Sequence, residues 1–441
     1  MRREQSKDTR WRPGGALGCC LLVLCTGPWG FRAAAQQGGV VELRSAEELQ
    51  VHMVDGEEVR ELIGNVHFIQ LSEDGDSVFV WSDRAMRYMT RDIIELFGNV
   101  RITRGGATLR SSLGTYSSRD RRAEMPRGVT LNQEGVTLTA RKGTYWVDDK
   151  VAFVQGDVVL VDSVSRTTSN TMTYYEAEKR AVAVGSVRVE SLRDNVTILG
   201  DSLIHYRTRG VSLVPKNPTL VQIDRSPGGE NDTLVVVSDR MEAYRDTSDR
   251  FLALGDVKIV RSDLASRCGR ALFDRTRELI VLQDDPVVWQ GENQMTGDSI
   301  AAFLQDNQLR RLQVIGRAMA ISRSDSAFRM RFNQLTGREM TLAFAERRLQ
   351  SIEVRRNATS LYYLYEDSEP NGVNRSSGDR IRIDFDQGRL DRITVIGGVE
   401  GTYAPESMVL NREGEYNLDG FRWIELRPSR TMFTIDLRSY E

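Results

Sequence analysis

One serine in the sequence could act as a nucleophile. Ser202 lies in Gly200-Asp201-Ser202-Leu203, which spells the nucleophile block of a class of lipases and esterases. Such a serine needs a general-base histidine, which in those enzymes lies well downstream. The sequence has three histidines, and none of them follows His205. The block also recurs as Gly297-Asp298-Ser299-Ile300, which indicates a repeat element. We therefore predict that the protein is not an enzyme.

The composition does not favour a metal, nucleotide or nucleic-acid site. Three scattered histidines do not have the spacing of a His/Cys metal site. Asp148-Asp149 and Asp284-Asp285 could suggest calcium, but aspartate is also common at turns. The 60 basic and 62 acidic residues are finely interleaved, with a net charge of −2 and no basic face. The sequence has no glycine-rich phosphate loop. We expect no metal, no cofactor and no nucleic-acid partner.

The N-terminus has the order of a secretory signal peptide. Basic residues between Arg2 and Arg12 precede an apolar stretch from Ala16 to Thr26, which is followed by Ala33-Ala34-Ala35. The apolar stretch is shorter than the roughly 20 residues that span a bilayer. We predict cleavage after Ala35, with an uncleaved anchor as the alternative. Cleavage leaves Cys268 as a lone thiol, which we expect to lie within a strand and to be unreactive.

A short element recurs along the chain and predicts β-strands. It consists of glycine, a polar residue and then an apolar–polar–apolar alternation. Its clear copies are Gly64-Asn65-Val66-His67-Phe68, Gly98-Asn99-Val100-Arg101-Ile102, Gly156-Asp157-Val158-Val159-Leu160, Gly185-Ser186-Val187-Arg188-Val189 and Gly255-Asp256-Val257-Lys258-Ile259. Alternation with a period of two is typical of a strand with one buried face. The leading glycine predicts a bend before that strand.

A second element alternates with the first and ends in an aromatic residue. Its first clear endings are Tyr88, Tyr116, Tyr145 and Tyr174, which are separated by 28, 29 and 29 residues. A period near 30 residues is typical of a stacked array. Because the repeats contain short strands and no convincing helix, we predict an all-β fold. It is an elongated β-jellyroll or solenoid-like roll of antiparallel strand repeats.

The repeats also predict the domain organisation. Residues 1–35 form the signal peptide, 36–226 and 227–403 carry two sets of repeats in one continuous roll, and 404–441 form a C-terminal strand segment. Residues 225–232 and 366–372 are rich in turn formers and predict exposed hairpin loops. Within the C-terminal segment, residues 421–426 alternate as a strand does.

The run Arg60-Glu61-Leu62-Ile63-Gly64-Asn65-Val66-His67-Phe68, together with the elements ending in Tyr88 and Tyr116, resembles the OstA-like family. This family includes the periplasmic lipopolysaccharide-transport protein LptA and the N-terminal domain of LptD. The resemblance covers residues 41–303 well and continues loosely to about Tyr403. It implies a β-jellyroll with a V-shaped apolar groove that carries lipopolysaccharide, with the acyl chains inside. The chain is longer than LptA, and too few residues follow the repeats for the barrel of LptD.

The resemblance also implies a location, partners and site residues. We expect a periplasmic protein, associated with the inner or outer membrane, that binds lipopolysaccharide or a related glycolipid. Other lipopolysaccharide-transport components would join it by end-to-end strand pairing. The candidate groove-lining residues are Val66, Phe68, Val100, Ile102, Val158, Leu160, Val187, Val189, Val257 and Ile259. Periodicity alone favours the alternative, a structural β-solenoid that serves as an envelope scaffold or adhesin with a filled core and no lipid cargo. The resemblance favours the groove instead.

Overall fold

The computed structural model describes residues 41–433, with gaps at residues 72–76, 105, 118, 147, 194, 226–230, 246–248, 263, 306–307, 325–327, 347, 368 and 388. The predicted signal peptide lies outside the described residues. Most of the described chain forms strands that pair antiparallel, which confirms the predicted all-β fold. In the described residues, the helices are too short or too polar to cross a membrane.

The chain forms two compact units, and the boundary between them lies inside one strand. The first contains Met1–Val187 and Tyr206–Thr208, and the second contains Arg188–His205 and Arg209–Glu441. The first unit has β1 (Val41–Ser45), β2 (Glu48–Val54), β3 (Glu57–Leu71), β4 (Ser77–Tyr88), β5 (Ile93–Arg104), β6 (Ala107–Ser117), β7 (Arg122–Met125), β8 (Val129–Gln133), β9 (Val136–Ala140), β10 (Lys142–Trp146), β11 (Val151–Val161) and β12 (Ser165–Tyr175). Strand β13 (Arg180–Ser191) crosses the boundary.

The second unit continues the same pattern of strands. Its strands are β14 (Val196–Tyr206), β15 (Val211–Val214), β16 (Thr219–Arg225), β17 (Asn231–Val237), β18 (Arg240–Tyr244), β19 (Arg250–Val260), β20 (Leu264–Asp274), β21 (Leu279–Gln283), β22 (Val287–Gln290), β23 (Asn293–Thr296), β24 (Ser299–Gln305), β25 (Gln308–Arg323), β26 (Phe332–Ala345), β27 (Arg348–Glu366), β28 (Glu369–Asp386), β29 (Arg389–Ile396) and β30 (Glu400–Pro405). One α-helix, α1 (Glu406–Val409), and three short 3₁₀ helices, Arg207–Arg209, Glu413–Tyr416 and Arg430–Met432, complete the described elements. The predicted boundary between the two sets of repeats, at residues 226 and 227, lies outside the described residues.

The glycine of the first repeat element bends its strand, as predicted. In β5 the dipeptide Gly98-Asn99 has φ values of 69° and 44°, and the pairing register with β4 shifts at this point. Such a bulge kinks the strand and redirects its second half. The glycine is required because a Cβ at Gly98 would overlap the Asp83 carboxylate of β4, whose oxygen Oδ2 lies 2.9 Å from Asn99 Nδ2. The same left-handed dipeptide recurs at Gly64-Asn65, Gly156-Asp157, Gly185-Ser186 and Gly255-Asp256.

At four of these bulges, a small residue lies directly opposite the first apolar residue that follows the bulge. Val66 pairs with Ser82, Val100 with Ser111, Val158 with Ser169, and Val257 with Cys268. Cys268 is therefore a corner residue of β20, buried as expected, and burial raises the pKa of its thiol to about 12. A thiol with this pKa is almost fully protonated at neutral pH and is a poor nucleophile.

The Gly-Asp-Ser-Ile copy belongs to the same corner geometry. The backbone N–H of Asp298 donates to the Gly316 carbonyl at 2.8 Å, and the side chain of Arg317 donates to the Asp298 carboxylate at 2.7 Å. A Cβ at Gly316 would overlap the Asp298 carboxylate. The Asp298 carboxylate thus packs against Gly316 as the Asp83 carboxylate packs against Gly98. This equivalence supports the interpretation of the block as a repeat element.

The repeat tyrosines occupy equivalent places, which confirms the prediction from their spacing. Ala123 of β7 lies between Tyr116 of β6 and Tyr145 of β10, since it is the direct partner of both. Ala152 of β11 likewise lies between Tyr145 and Tyr174 of β12. Directly opposed residues point to the same face of a sheet. The three tyrosines therefore form one row, with two strand spacings between neighbours.

Two expectations for the C-terminal part are wrong. Residues 421–426 form no strand, because their backbone groups bond to side chains of another segment rather than to a neighbouring strand. Residues 369–372 belong to β28 rather than to a long loop, since the β27–β28 pairing continues to Glu366 and Glu369.

Candidate functional site

A row of apolar side chains crosses the first unit on the face that carries Val100 and Ile102. We call this the inner face. Cross-strand pairing places each member directly opposite the next, from β1 to β11. The members of this inner row are Leu43, Phe68, Val80, Ile102, Leu109, Leu131, Leu138 and Leu160. Strands lie about 4.8 Å apart, so eight residues span roughly 35 Å of continuous apolar surface.

Burial changes along the inner row. Phe68, Val80, Ile102 and Leu109 are buried, whereas Leu131, Leu138 and Leu160 are half-buried. The first group therefore contributes mainly to a packed core. The second group keeps apolar surface that another molecule can contact, and its three members are consecutive in the row. In the first unit, the accessible members of the inner row thus lie at its two ends. They are Leu43 on β1, which is 38% exposed, and Leu131, Leu138 and Leu160 on β8, β9 and β11.

The predicted groove-lining residues divide into two sets. Val66, Val100 and Val158 lie at the corners and are at most 1% exposed, so they are core residues in this structure. Val187 is also buried, and Val257 and Ile259 are buried in the core of the second unit. Phe68 and Ile102 lie in the buried part of the inner row. Leu160 and Val189 are half-buried and keep apolar surface.

Five members of the inner row were not predicted from the sequence. They are Leu43, Val80, Leu109, Leu131 and Leu138. Leu131 and Leu138 follow the alternation of Val129-Thr130-Leu131 and Val136-Thr137-Leu138 around the turn at Glu134-Gly135. That alternation was a usable signal, although it lacks the leading Gly-polar pair. Their place beside Leu109 and Leu160 depends on strand register, which the local pattern does not contain.

The outer face of the second unit is covered by residues 406–430, which we call the strap. The Gln294 side chain donates to the Arg422 carbonyl at 2.7 Å and accepts the Ile424 N–H at 2.8 Å. Gln334 accepts the Leu418 N–H at 2.9 Å in the same way. Phe332 packs between Phe421 and Trp423, with ring centroids 5.3 and 4.9 Å apart. The local sequence pattern does not reveal this segment, because its hydrogen-bonding partners lie from 75 to more than 100 residues away in the chain.

The strap is also held by a buried ion pair. The Arg331 side chain is 1% exposed and donates to the carboxylates of Glu406 and Glu413. A buried guanidinium needs such partners because an unpaired charge in the interior is costly. The strap is therefore an integral part of the second unit.

The polar residues considered for catalysis and metal binding lie outside the inner row. Ser202 is half-buried on β14, and His205 Nδ1 lies 3.0 Å from Ser212 Oγ. Within the described ranges, His, Cys, Asp and Glu do not form a group of three or more that could hold a metal ion. The inner row has no titratable member, so its chemistry is apolar contact.

Comparison with known proteins agrees with this geometry. A model described as OstA-like protein matches residues 39–201, and a model described as LptA/(LptD N-terminal domain) LPS transport protein matches residues 136–308. No curated protein sequence matches the chain.

Several solved structures are similar to part of the chain. One of them is the crystal structure of LptH, the LptA homologous periplasmic component of the conserved lipopolysaccharide transport device from Pseudomonas aeruginosa. The identity is 13% and the TM-score 0.26, and the alignment covers 32% of this chain and 95% of LptH.

The two family matches overlap and together run from residue 39 to residue 308, which includes every strand of the inner row and every candidate groove residue. The resemblance inferred from the repeats is thereby confirmed: residues 39–308 of the chain match the OstA-like family and the LptA/LptD N-terminal family.

Proposed function

We propose that the protein binds lipopolysaccharide or a related glycolipid in the periplasm and passes it toward the outer membrane. The observation that carries this proposal is the inner row, an apolar surface that continues from strand to strand and stays accessible at Leu131, Leu138 and Leu160. Acyl chains would lie against these three residues.

The energetics suit a carrier. Burial of one CH₂ contributes about 0.8 kcal/mol, so an acyl chain of a dozen carbons gains on the order of 10 kcal/mol. Binding of this strength would trap the cargo if the site stood alone. Neighbouring rungs of similar composition offer nearly equal free energies, so the cargo can move from one rung to the next.

Site-specific photo-crosslinking in cells tests the proposal. A crosslinking residue at Leu160 or Leu138 should capture glycolipid, because both side chains are half-buried on the inner face. Matched controls are Val159 and Thr137, which are adjacent in sequence and half-buried but point to the opposite face. Capture restricted to Leu160 and Leu138 supports the proposal. Equal capture at all four positions, or capture at none, contradicts it.

A filled-core scaffold is the second candidate, and one observation favours it. Val66, Val100 and Val158 are at most 1% exposed, so the corner of the inner face is a closely packed core. An envelope scaffold would need nothing more than this core. The scaffold predicts no capture at Leu160 and Leu138, so the same experiment separates the two functions.

We further propose that the terminal strands pair with other lipopolysaccharide-transport components. Leu49, Val51 and Met53 alternate along β2 and are more than half exposed. Within the described residues β2 pairs with β3 alone. An unpaired edge with exposed apolar side chains favours the addition of a further strand. At the other end of the strand series, Ile393, Ile396 and Tyr403 are similarly exposed on β29 and β30.

A further inference from the structure

Two arginines lie directly opposite each other on the outer face of the first unit. Arg101 of β5 is the cross-strand partner of Arg110 of β6, and both side chains are exposed. In the described part of the chain, neither guanidinium has an ion pair with a carboxylate. Like charges in directly opposite positions destabilise an antiparallel pair. This pair is therefore unfavourable unless an anion neutralises it.

Elsewhere the chain compensates its strand arginines locally. An acidic residue two positions away on the same strand pairs with Arg122, Arg188, Arg240, Arg355 and Arg382. The corresponding positions beside Arg101 are Asn99 and Thr103, and those beside Arg110 are Thr108 and Ser112. The Arg101–Arg110 pair thus lacks the local compensation that these five arginines have.

Stacking holds one of these guanidinium groups in place. The Arg101 guanidinium lies 4.0 Å from the centroid of the Trp81 ring. The His67 ring also stacks on Trp81, with the two ring centroids 4.8 Å apart and an interplanar angle of 8°. A guanidinium that stacks on a ring keeps its N–H edge free for hydrogen bonds. Since its plane is already fixed, less entropy is lost when it binds an oxyanion.

The two arginines line a cleft of about 920 Å³ together with Arg127. Asp83 is the one acidic residue that lines it, and this carboxylate accepts hydrogen bonds from Asn99. The formal balance of the lining is three positive charges minus one negative, or +2. The hydroxyls of Ser111, Thr130 and Thr139 add possible donors.

The electrostatic state of His67 agrees with a positive cleft. Its pKa is lowered, first by burial and then by the positive charges of Arg44 and Arg101. The part of this shift that comes from Arg44 and Arg101 reflects the positive potential beside the cleft.

We propose that this outer cleft binds a phosphate group, with Arg101 and Arg110 as its paired ligands. Two adjacent guanidinium forks suit the bidentate geometry of a phosphate, and charge-assisted hydrogen bonds of this kind are among the strongest in proteins. The sheet separates the cleft from the inner row, so this is a second site that does not depend on the proposed cargo inside. The phosphate can come from a small phosphorylated ligand or from the headgroup of a membrane phospholipid.

Thermal unfolding of the mature protein in phosphate and in chloride at equal ionic strength tests the proposal. Phosphate should raise the Tm of the wild type, because a ligand that binds the folded state stabilises it. Arg110→Glu should abolish this rise. In chloride the same variant should be at least as stable as the wild type, since it places a carboxylate opposite Arg101. The proposal is overturned if phosphate does not raise the Tm of the wild type, or if it raises the Tm of the variant by the same amount.

Calorimetric titration provides the second measurement and identifies the source of the phosphate. The probes are inorganic phosphate, glucosamine 1-phosphate, and phosphatidylcholine vesicles with and without phosphatidylglycerol. Arg101→Gln should weaken binding of the effective probe about tenfold or more. Arg166→Gln should leave it unchanged, because Arg166 is exposed on β12 outside the cleft. Saturation by the small probes indicates a small ligand, and binding of the anionic vesicles alone indicates a headgroup. Absence of binding to every probe, or equal loss in the Arg166 variant, overturns the proposal.

Discussion

The side-chain oxygen of Gln294 lies 2.8 Å from the backbone nitrogen of Ile424, a residue 130 positions later in the chain. The same side chain donates to the Arg422 carbonyl, so one buried glutamine satisfies two backbone groups of the strap. In a β-sheet, a neighbouring strand would supply these two hydrogen bonds. The strap therefore stays extended over the outer face without becoming part of a sheet.

Gln294→Ala should destabilise the second unit by about 2–4 kcal/mol, because it leaves two backbone groups without their partner. Hydrogen exchange should show the local effect as faster exchange of the Ile424 amide. Gln50→Ala is a matched control, since Gln50 is exposed and bonds to Glu48 alone among the described residues, and it should change stability by less than about 0.5 kcal/mol. Unchanged exchange at Ile424 would contradict this role of Gln294.

Gly98→Ala should destabilise the first unit more than Gly56→Ala does. Both glycines have positive φ values, 69° and 80°, so both variants carry the strain of a left-handed alanine, about 1 kcal/mol. A Cβ at Gly98 also overlaps the Asp83 carboxylate, whereas the position beside Gly56 is open. Urea unfolding of the two variants should differ by a further 1 kcal/mol or more. Equal destabilisation would mean that the corner accommodates the methyl group.

Cys268 should resist alkylation by iodoacetamide at pH 8 in the folded protein. Its pKa of about 12 leaves almost no thiolate at this pH, and the side chain is buried. Peptide mapping by mass spectrometry should find Cys268 labelled in urea and unlabelled in buffer. The sign of the pH effect follows from the raised pKa of the folded state. The contribution of this thiol to stability is present below pH 9.0 and is lost as the pH rises toward 12. Rapid labelling of the folded protein would contradict the buried corner position.

Val51→Lys should weaken association with a partner strand at β2 about tenfold or more, because it places a charge on the exposed apolar edge. Crosslinking in cells and sedimentation of the purified protein measure the effect. Leu192→Lys is the control, since Leu192 is equally exposed and apolar but lies outside the strands, between β13 and β14. A protein that stays monomeric at high concentration and captures no envelope partner would rule out strand addition.

Ser202→Ala should leave the folding and every activity of the protein unchanged, because the Gly-Asp-Ser spelling recurs at a structural corner and lacks a downstream histidine. Ester hydrolysis by the purified wild type and the variant provides the measurement. Hydrolysis by the wild type that disappears in a folded Ser202→Ala protein would show that the protein is an enzyme.

Several features could be read from the sequence because they depend on local preferences. The Gly-polar pair of Gly98-Asn99 favours left-handed φ values, so it predicts the bend within a few residues of itself. The alternation of Val100, Arg101 and Ile102 predicts which side chains are buried, and the structure agrees. The spacing of Tyr116, Tyr145 and Tyr174 predicts their common row, because equal repeats place equal positions on equivalent strands.

Other features arise only when distant strands meet. The place of Leu131 beside Leu109, and of Arg101 beside Arg110, depends on strand register. A register shift of one residue would turn every side chain of the strand to the opposite face of the sheet. Alternation at 421–426 predicts a strand, yet no strand edge receives this segment, and Gln294 supplies the hydrogen bonds instead. Burial of Val66 and partial exposure of Leu160 likewise depend on how closely side chains from different strands pack together on the inner face. Local conformational preference acts over a few residues and leaves its mark in the sequence, whereas register, closure and the strap depend on contacts between segments tens to hundreds of residues apart.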